Sequence, residues 1–144
     1  MNLEETVVIS APIEDTFDAW ADLERSPEHQ KPTLERTKLT EGPIGPGTRY
    51  HAVDRWPGRQ VAFEMEITDY QRPHRLAAAW ENPMRGAWVA TFSPDGDGTR
   101  MTFETTIEPT GIMGLFEPMM RSWARKTLAA GLESFRSWLE SGES

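Results

Sequence analysis

Val61-Ala62-Phe63-Glu64-Met65-Glu66-Ile67-Thr68 alternates with a period of two, placing Val61, Phe63, Met65 and Ile67 on one face and Glu64, Glu66 and Thr68 on the other. A strand with one dry and one wet face belongs in an antiparallel sheet, since strands of a covered parallel sheet are apolar on both sides. Gln71-Arg72-Pro73 follows as turn chemistry, and Leu76-Ala77-Ala78-Ala79-Trp80 resumes an apolar run. The spacing predicts a hairpin that pairs Ile67 with Leu76, Met65 with Ala78 and Phe63 with Trp80.

Turn residues at Gly42-Pro43-Ile44-Gly45-Pro46-Gly47, Trp56-Pro57-Gly58, Asn82-Pro83 and Pro94-Asp95-Gly96-Asp97-Gly98 divide the surrounding chain. Six consecutive strands are predicted, over 34–40, 47–56, 59–69, 74–81, 86–93 and 99–108. In the last, Met101, Phe103, Thr105 and Ile107 alternate with Arg100, Thr102, Glu104 and Thr106, repeating the apolar-in, polar-out pattern. Upstream, Leu3 to Ser10 is rich in β-branched residues and stops at Ala11-Pro12, where Pro suits the first position of a helix and Glu14 and Asp15 suit its first turn. Ile13, Phe17 and Trp20 form one stripe of that short helix, and Ser26-Pro27-Glu28 signals a second. After Pro109-Thr110-Gly111 the period becomes helical: Met120, Trp123, Ala124, Thr127, Leu128, Gly131, Leu132, Phe135, Trp138 and Leu139 cover about half the circumference. An apolar arc that wide suits a helix laid into the hollow of a curved sheet. Gly131 within the arc predicts close approach of helix to sheet.

The whole chain of 144 residues reads as one α+β domain, 1–144, without internal repeat or long linker. Its 23 acidic against 15 basic residues give a net charge of −8, which repels phosphate backbones and anionic lipid heads and argues against nucleic-acid binding. Cys is absent, which excludes disulfides, thiolate metal sites and a cysteine nucleophile. There is no basic N-terminal region and no run of roughly 18 apolar residues, so a soluble, cytoplasmic protein with no membrane span is expected.

The order strand, two short helices, six antiparallel strands and long C-terminal helix resembles the helix-grip superfamily. That superfamily (SRPBCC) contains START lipid-transfer domains, birch-pollen-allergen-like proteins and the bacterial polyketide cyclase/dehydrase proteins, the last being the nearest resemblance. The residues that carry it are Val8-Ile9-Ser10-Ala11-Pro12 with Phe17 and Trp20, Gly45-Pro46-Gly47-Thr48-Arg49-Tyr50, Gly98-Thr99-Arg100, and Leu132-Glu133-Ser134-Phe135, in that order over essentially the whole chain. The resemblance implies a curved seven-stranded antiparallel sheet wrapped round the C-terminal helix, enclosing an apolar cavity. It carries over no universal catalytic motif, so function has to be argued from the site.

The inward faces predicted by the alternation converge on Phe63, Met65, Ile67, Trp80, Met101, Phe103 and Thr105, roofed by Phe116, Met120, Trp123 and Thr127. Tyr50 is the best placed of the polar candidates, which also include Asn82, Thr91, Thr105 and Thr127. These residues either line a ligand cavity or fill a dry core. Gly111 to Pro118 reads as a mobile entrance or as the frayed start of the last helix. His29, His51 and His74 lack metal-ligand spacing, and His51 and Asp54, three apart on a strand, point to opposite faces. Asp95-Gly96-Asp97-Gly98 has Thr106 where a calcium loop needs Glu, and Gly42 to Gly47 lacks the Lys-Ser/Thr of a phosphate loop. Neither a metal nor another cofactor is expected.

Three readings follow: a binder of a hydrophobic small molecule of polyketide, lipid or aromatic type, as a monomer or homodimer; a cyclase or dehydratase in which His51, Tyr50 or Asp54 points inward as acid or base; and a protein-interaction module of the chaperone-activator type with exposed Trp56 and Trp88.

Overall fold

The computed structural model describes residues 1–108 and 111–142. Strand β1 (Asn2–Ile9) leads into helix α1 (Ile13–Ala21) and a 3-10 helix (Leu23–Glu28), and then into the meander of β2 (Thr33–Lys38), β3 (Arg49–Trp56), β4 (Arg59–Gln71), β5 (Arg75–Trp80), β6 (Gly86–Asp95) and β7 (Gly98–Ile107). A second 3-10 helix (Gly111–Phe116) precedes helix α2 (Glu117–Glu140). All seven strands form one antiparallel sheet in the order β1-β7-β6-β5-β4-β3-β2. Chain order is thus kept across the sheet except that β1 closes the β7 edge, pairing Leu3 with Thr105 and Val7 with Met101.

The β4–β5 register differs from the one the spacing predicts. Ile67 faces Ala78, Glu66 faces Ala79 and Tyr70 faces Leu76, with the pairing shifted between Ile67 and Asp69. Thr68 is the extra residue of a β-bulge there, and the strand runs on to Gln71. The inserted residue reverses the alternation, so that Tyr70 turns inward and packs edge-on against Phe17, with ring centroids 5.4 Å apart. Gln71 pairs with Arg75, so the turn falls at residues 72–74, later than the spacing predicts, and beyond the bulge the predicted hairpin is two residues out of phase; a period-two reading fixes neither the turn position nor an inserted residue.

Helix α2 runs alongside β1. Its ends hold β1, where Arg121 Nη1 donates to Asn2 O (3.4 Å) and Ser10 N donates to Glu140 Oε2 (2.8 Å). On the other side the Gln30 amide donates to Gly131 O (2.8 Å). Gly131 is glycine for this contact: a Cβ there would collide with the Gln30 side-chain oxygen. The close approach is therefore to the segment before β2, not to the sheet. A continuous α-helix starts only at Glu117, with Pro118 in its first turn where its missing N–H costs nothing. Pro109 and Thr110 lie outside the described residues.

Candidate functional site

Burial along α2 is uneven. Gly131, Leu132, Phe135 and Trp138 of its C-terminal half are buried. Phe135 is fully enclosed and meets Trp20 edge-on (5.0 Å) and the His29 ring (4.9 Å), while Trp138 lies 4.7 Å from His29 on one side and under the Arg25 guanidinium on the other. His29 is held neutral here: the Gln30 amide donates to Nδ1 (2.9 Å), Nε2 has no partner among the described residues, and burial pulls the imidazole down to about 4.

The N-terminal half of α2 is held differently. Trp123, Ala124, Thr127 and Leu128 face the sheet across a cavity of about 200 Å³. Phe63 and Trp80, 5.1 Å apart, form one wall, and Trp88 stacked on Phe103 at 5.5 Å forms another. Leu3, Val61, Met84 and Ile107 fill in between, and Trp20, Leu23 and Leu132 close the end towards α1. Trp80 lies flat because its strand partner is Gly86, where a Cβ would run into the indole. At the opposite end Trp56 and Trp123, with centroids 6.3 Å apart, separate this chamber from a wider surface groove of about 860 Å³ bordered by Lys31, Arg55, Pro57, Ala130 and Ser134. An apolar cavity of about 150 Å³ is enough to hold benzene. The inner chamber is therefore large enough for a compact ring system, and the groove continues beyond the tryptophans.

Of the residues singled out from sequence, Phe63, Trp80, Phe103, Thr105, Trp123 and Thr127 line the chamber. Met65, Ile67 and Met101 are fully buried in the packed core, where the Trp88 indole N–H donates to Met65 Sδ (3.3 Å). Tyr50 is buried at a separate dent with Asp18, Glu24 and Tyr70, and burial pushes its phenol up to about 12. Phe116 is half-exposed and Met120 partly buried, and neither borders the chamber. Thr105 spends its hydroxyl on Ala87 O (3.0 Å). Trp88 is buried and Trp56 partly so, and the large exposed apolar side chains include Leu115, Phe116 and Met119 around the start of α2.

Sequence reasoning missed Arg36. Its Nη1 donates to Asp54 Oδ1 at 2.7 Å and to Glu35 O at 3.0 Å, and its guanidinium lies over the Phe63 ring, 5.5 Å from the centroid. Both ionic side chains border the chamber and are mostly enclosed, with 11% and 21% of the Arg36 and Asp54 side chains exposed. Asp54 shares the inward phase of Tyr50, Ala52 and Trp56, a signal legible in the sequence. His51 stands on the other face, half-exposed, 3.8 Å from Glu35. Among the described residues no three His, Asp or Glu side chains gather as a metal site, and no helix is long and apolar enough to cross a membrane.

A family model described as polyketide cyclase / dehydrase and lipid transport matches residues 1–140. The chain belongs to that family, within the START-like SRPBCC superfamily, and has its helix-grip fold. Similar solved structures include TTHA0849 from Thermus thermophilus, 20% identical with a TM-score of 0.85 over 100% of both chains. The Zhui aromatase/cyclase from Streptomyces sp. R1128 is 15% identical with a TM-score of 0.81, covering 97% of this chain and 93% of its own. A START superfamily protein from Mycobacterium smegmatis is 15% identical with a TM-score of 0.80, covering 96% and 98%. No curated protein matches the chain in sequence.

Proposed function

We propose that the protein binds a hydrophobic small molecule of polyketide, lipid or aromatic type in the chamber between the sheet and the N-terminal half of α2. The observation that carries this reading is an apolar space of about 200 Å³ walled by Phe63, Trp80, Phe103 and Trp123, where a packed core would leave few voids larger than a water. Affinity comes from burying apolar ligand surface, at roughly 25 cal/mol per Å². The family description and the presence of an aromatase/cyclase and a START protein among the similar folds support the same class of ligand.

The test is fluorescence titration with 1-aminoanthracene, a neutral ring probe whose emission rises in an enclosed apolar site. Saturable binding is expected, and Ala124→Phe, which puts a ring into the chamber, is expected to abolish it while leaving the melting temperature unchanged or raised. Probe binding that survives Ala124→Phe would remove the chamber from the account. A second reading, a cyclase or dehydratase, is favoured by one observation only, the carboxylate of Asp54 at the chamber wall. Its test is turnover of a linear ketide thioester that Asp54→Asn eliminates without loss of probe binding.

A further inference from the structure

We infer that the Arg36–Asp54 pair is a head-group reader that selects uncharged, hydroxyl-bearing compact aromatic ligands over carboxylate-headed ones. The inference rests on the proposed binding role of the chamber and specifies which molecules it admits.

The chamber wall is apolar apart from a few groups, and several of those are already committed. Thr105 donates to a backbone carbonyl, and the Gln30 amide is shared between Gly131 O and His29. Arg55, also at the chamber, is exposed and borders the outer groove. Arg36 and Asp54 are the charged lining residues with most of their side chains enclosed, and they touch through a single contact, Nη1 to Oδ1 at 2.7 Å. Among the described residues no hydrogen bond involves Arg36 Nε or Nη2, or Asp54 Oδ2. A donor and an acceptor therefore stand side by side, with Phe63 supporting the guanidinium from below.

An enclosed ion pair contributes little net stability compared with apolar side chains of similar volume, because both ions give up hydration. Its worth in this wall lies in what it presents to a guest. The pair is electrically neutral, so an entering carboxylate would lose its own hydration, meet an arginine already compensated at 2.7 Å, and lie beside a second carboxylate. A hydroxyl carries a donor and acceptor lone pairs on one atom. It can donate to Asp54 Oδ2 and accept from Arg36 Nη2, so that its own donor and acceptor are both paired. The chamber volume sets the companion requirement of a ring system small enough to fit behind the Trp56–Trp123 pair.

The experiment displaces 1-aminoanthracene with three molecules of one ring size, namely 2-naphthol, naphthalene and 2-naphthoate, at neutral pH. The wild-type chain is expected to prefer 2-naphthol by about tenfold over each of the others, the scale of one hydrogen bond to a charged group. Asp54→Asn is expected to raise affinity for 2-naphthoate about tenfold, because it frees the arginine charge, and the double variant Arg36→Met/Asp54→Leu to reduce 2-naphthol to the level of naphthalene. Equal affinity for the three ligands in the wild type overturns the inference and leaves the binding role standing. Failure of 1-aminoanthracene to bind at all overturns the binding role itself. The wild-type ranking decides the matter even if Asp54→Asn does not fold.

Discussion

The two halves of α2 lie against the same sheet and do opposite things. Behind Gly131, the side chains of Leu132, Phe135 and Trp138 interlock with Trp20 and His29 and leave no room. Ahead of it, Ala124 and Thr127 are too small to reach the floor set by Phe63, Trp80 and Phe103, and a chamber remains. The difference lies in what else fills the hollow. Helix α1 and the 3-10 helix bring Phe17, Trp20 and Leu23 into one end only, so the helix is gripped there by aromatic packing and elsewhere by contacts with β1 and with the segment before β2.

The largest effect should come from Phe135→Ala, which removes a fully buried ring from the filled end. A loss of about 3–5 kcal/mol in urea denaturation is expected, against about 1 kcal/mol for the partly exposed Trp123→Ala, whose cost should appear in probe affinity instead. Similar losses for both would erase the distinction between the two halves.

The next effect is pH-dependent and also belongs to the filled end. His29 titrates near 4 in the folded protein against an ordinary 6.5, so the unfolded chain takes up its proton first as the pH falls. The stability this contributes is complete above pH 6.5 and is lost between 6.5 and about 4, to a total of about 3 kcal/mol. Denaturation midpoints at pH 7.5 and 5 should show the decline, and His29→Phe should flatten it. An unchanged slope in that variant would move the effect to other groups.

Smaller again is Gly86→Ala at the open end. The new methyl collides with the Trp80 indole, which must tilt into the chamber. A cost of about 1–3 kcal/mol in thermal denaturation is expected, together with weaker binding of 1-aminoanthracene.

Strands and helices were legible because alternation and the 3.6-residue period need only local sequence. The order β2 to β7 and the wide apolar arc of α2 both follow from them. Register was not legible, since it depends on where the turn after Gln71 falls and on the bulge at Thr68, which, like the irregularity between Thr33 and Glu35, inserts a residue without changing composition. The inward faces were read correctly for Phe63, Trp80 and Phe103, yet facing inward did not separate them from Met65, Ile67 and Met101. Which inward positions lie under α1 and which lie under open space depends on where the helices come to rest, and no local period encodes that. Arg36 meets Asp54 by pairing strands 18 residues apart. The inward phase of Asp54 could be inferred from Tyr50, Ala52 and Trp56, but its partner could not.

The Gln30 clasp on Gly131 pins α2 part-way along its length. Residues 117–131 ahead of that pin form an arm of about 21 Å at 1.5 Å per residue, so a tilt of about 5° swings its tip by about 2 Å. Such a swing would part Trp123 from Trp56 and break the Arg121–Asn2 contact while leaving the aromatic packing around Phe135 in place, so the two ends of one helix are held with very different firmness.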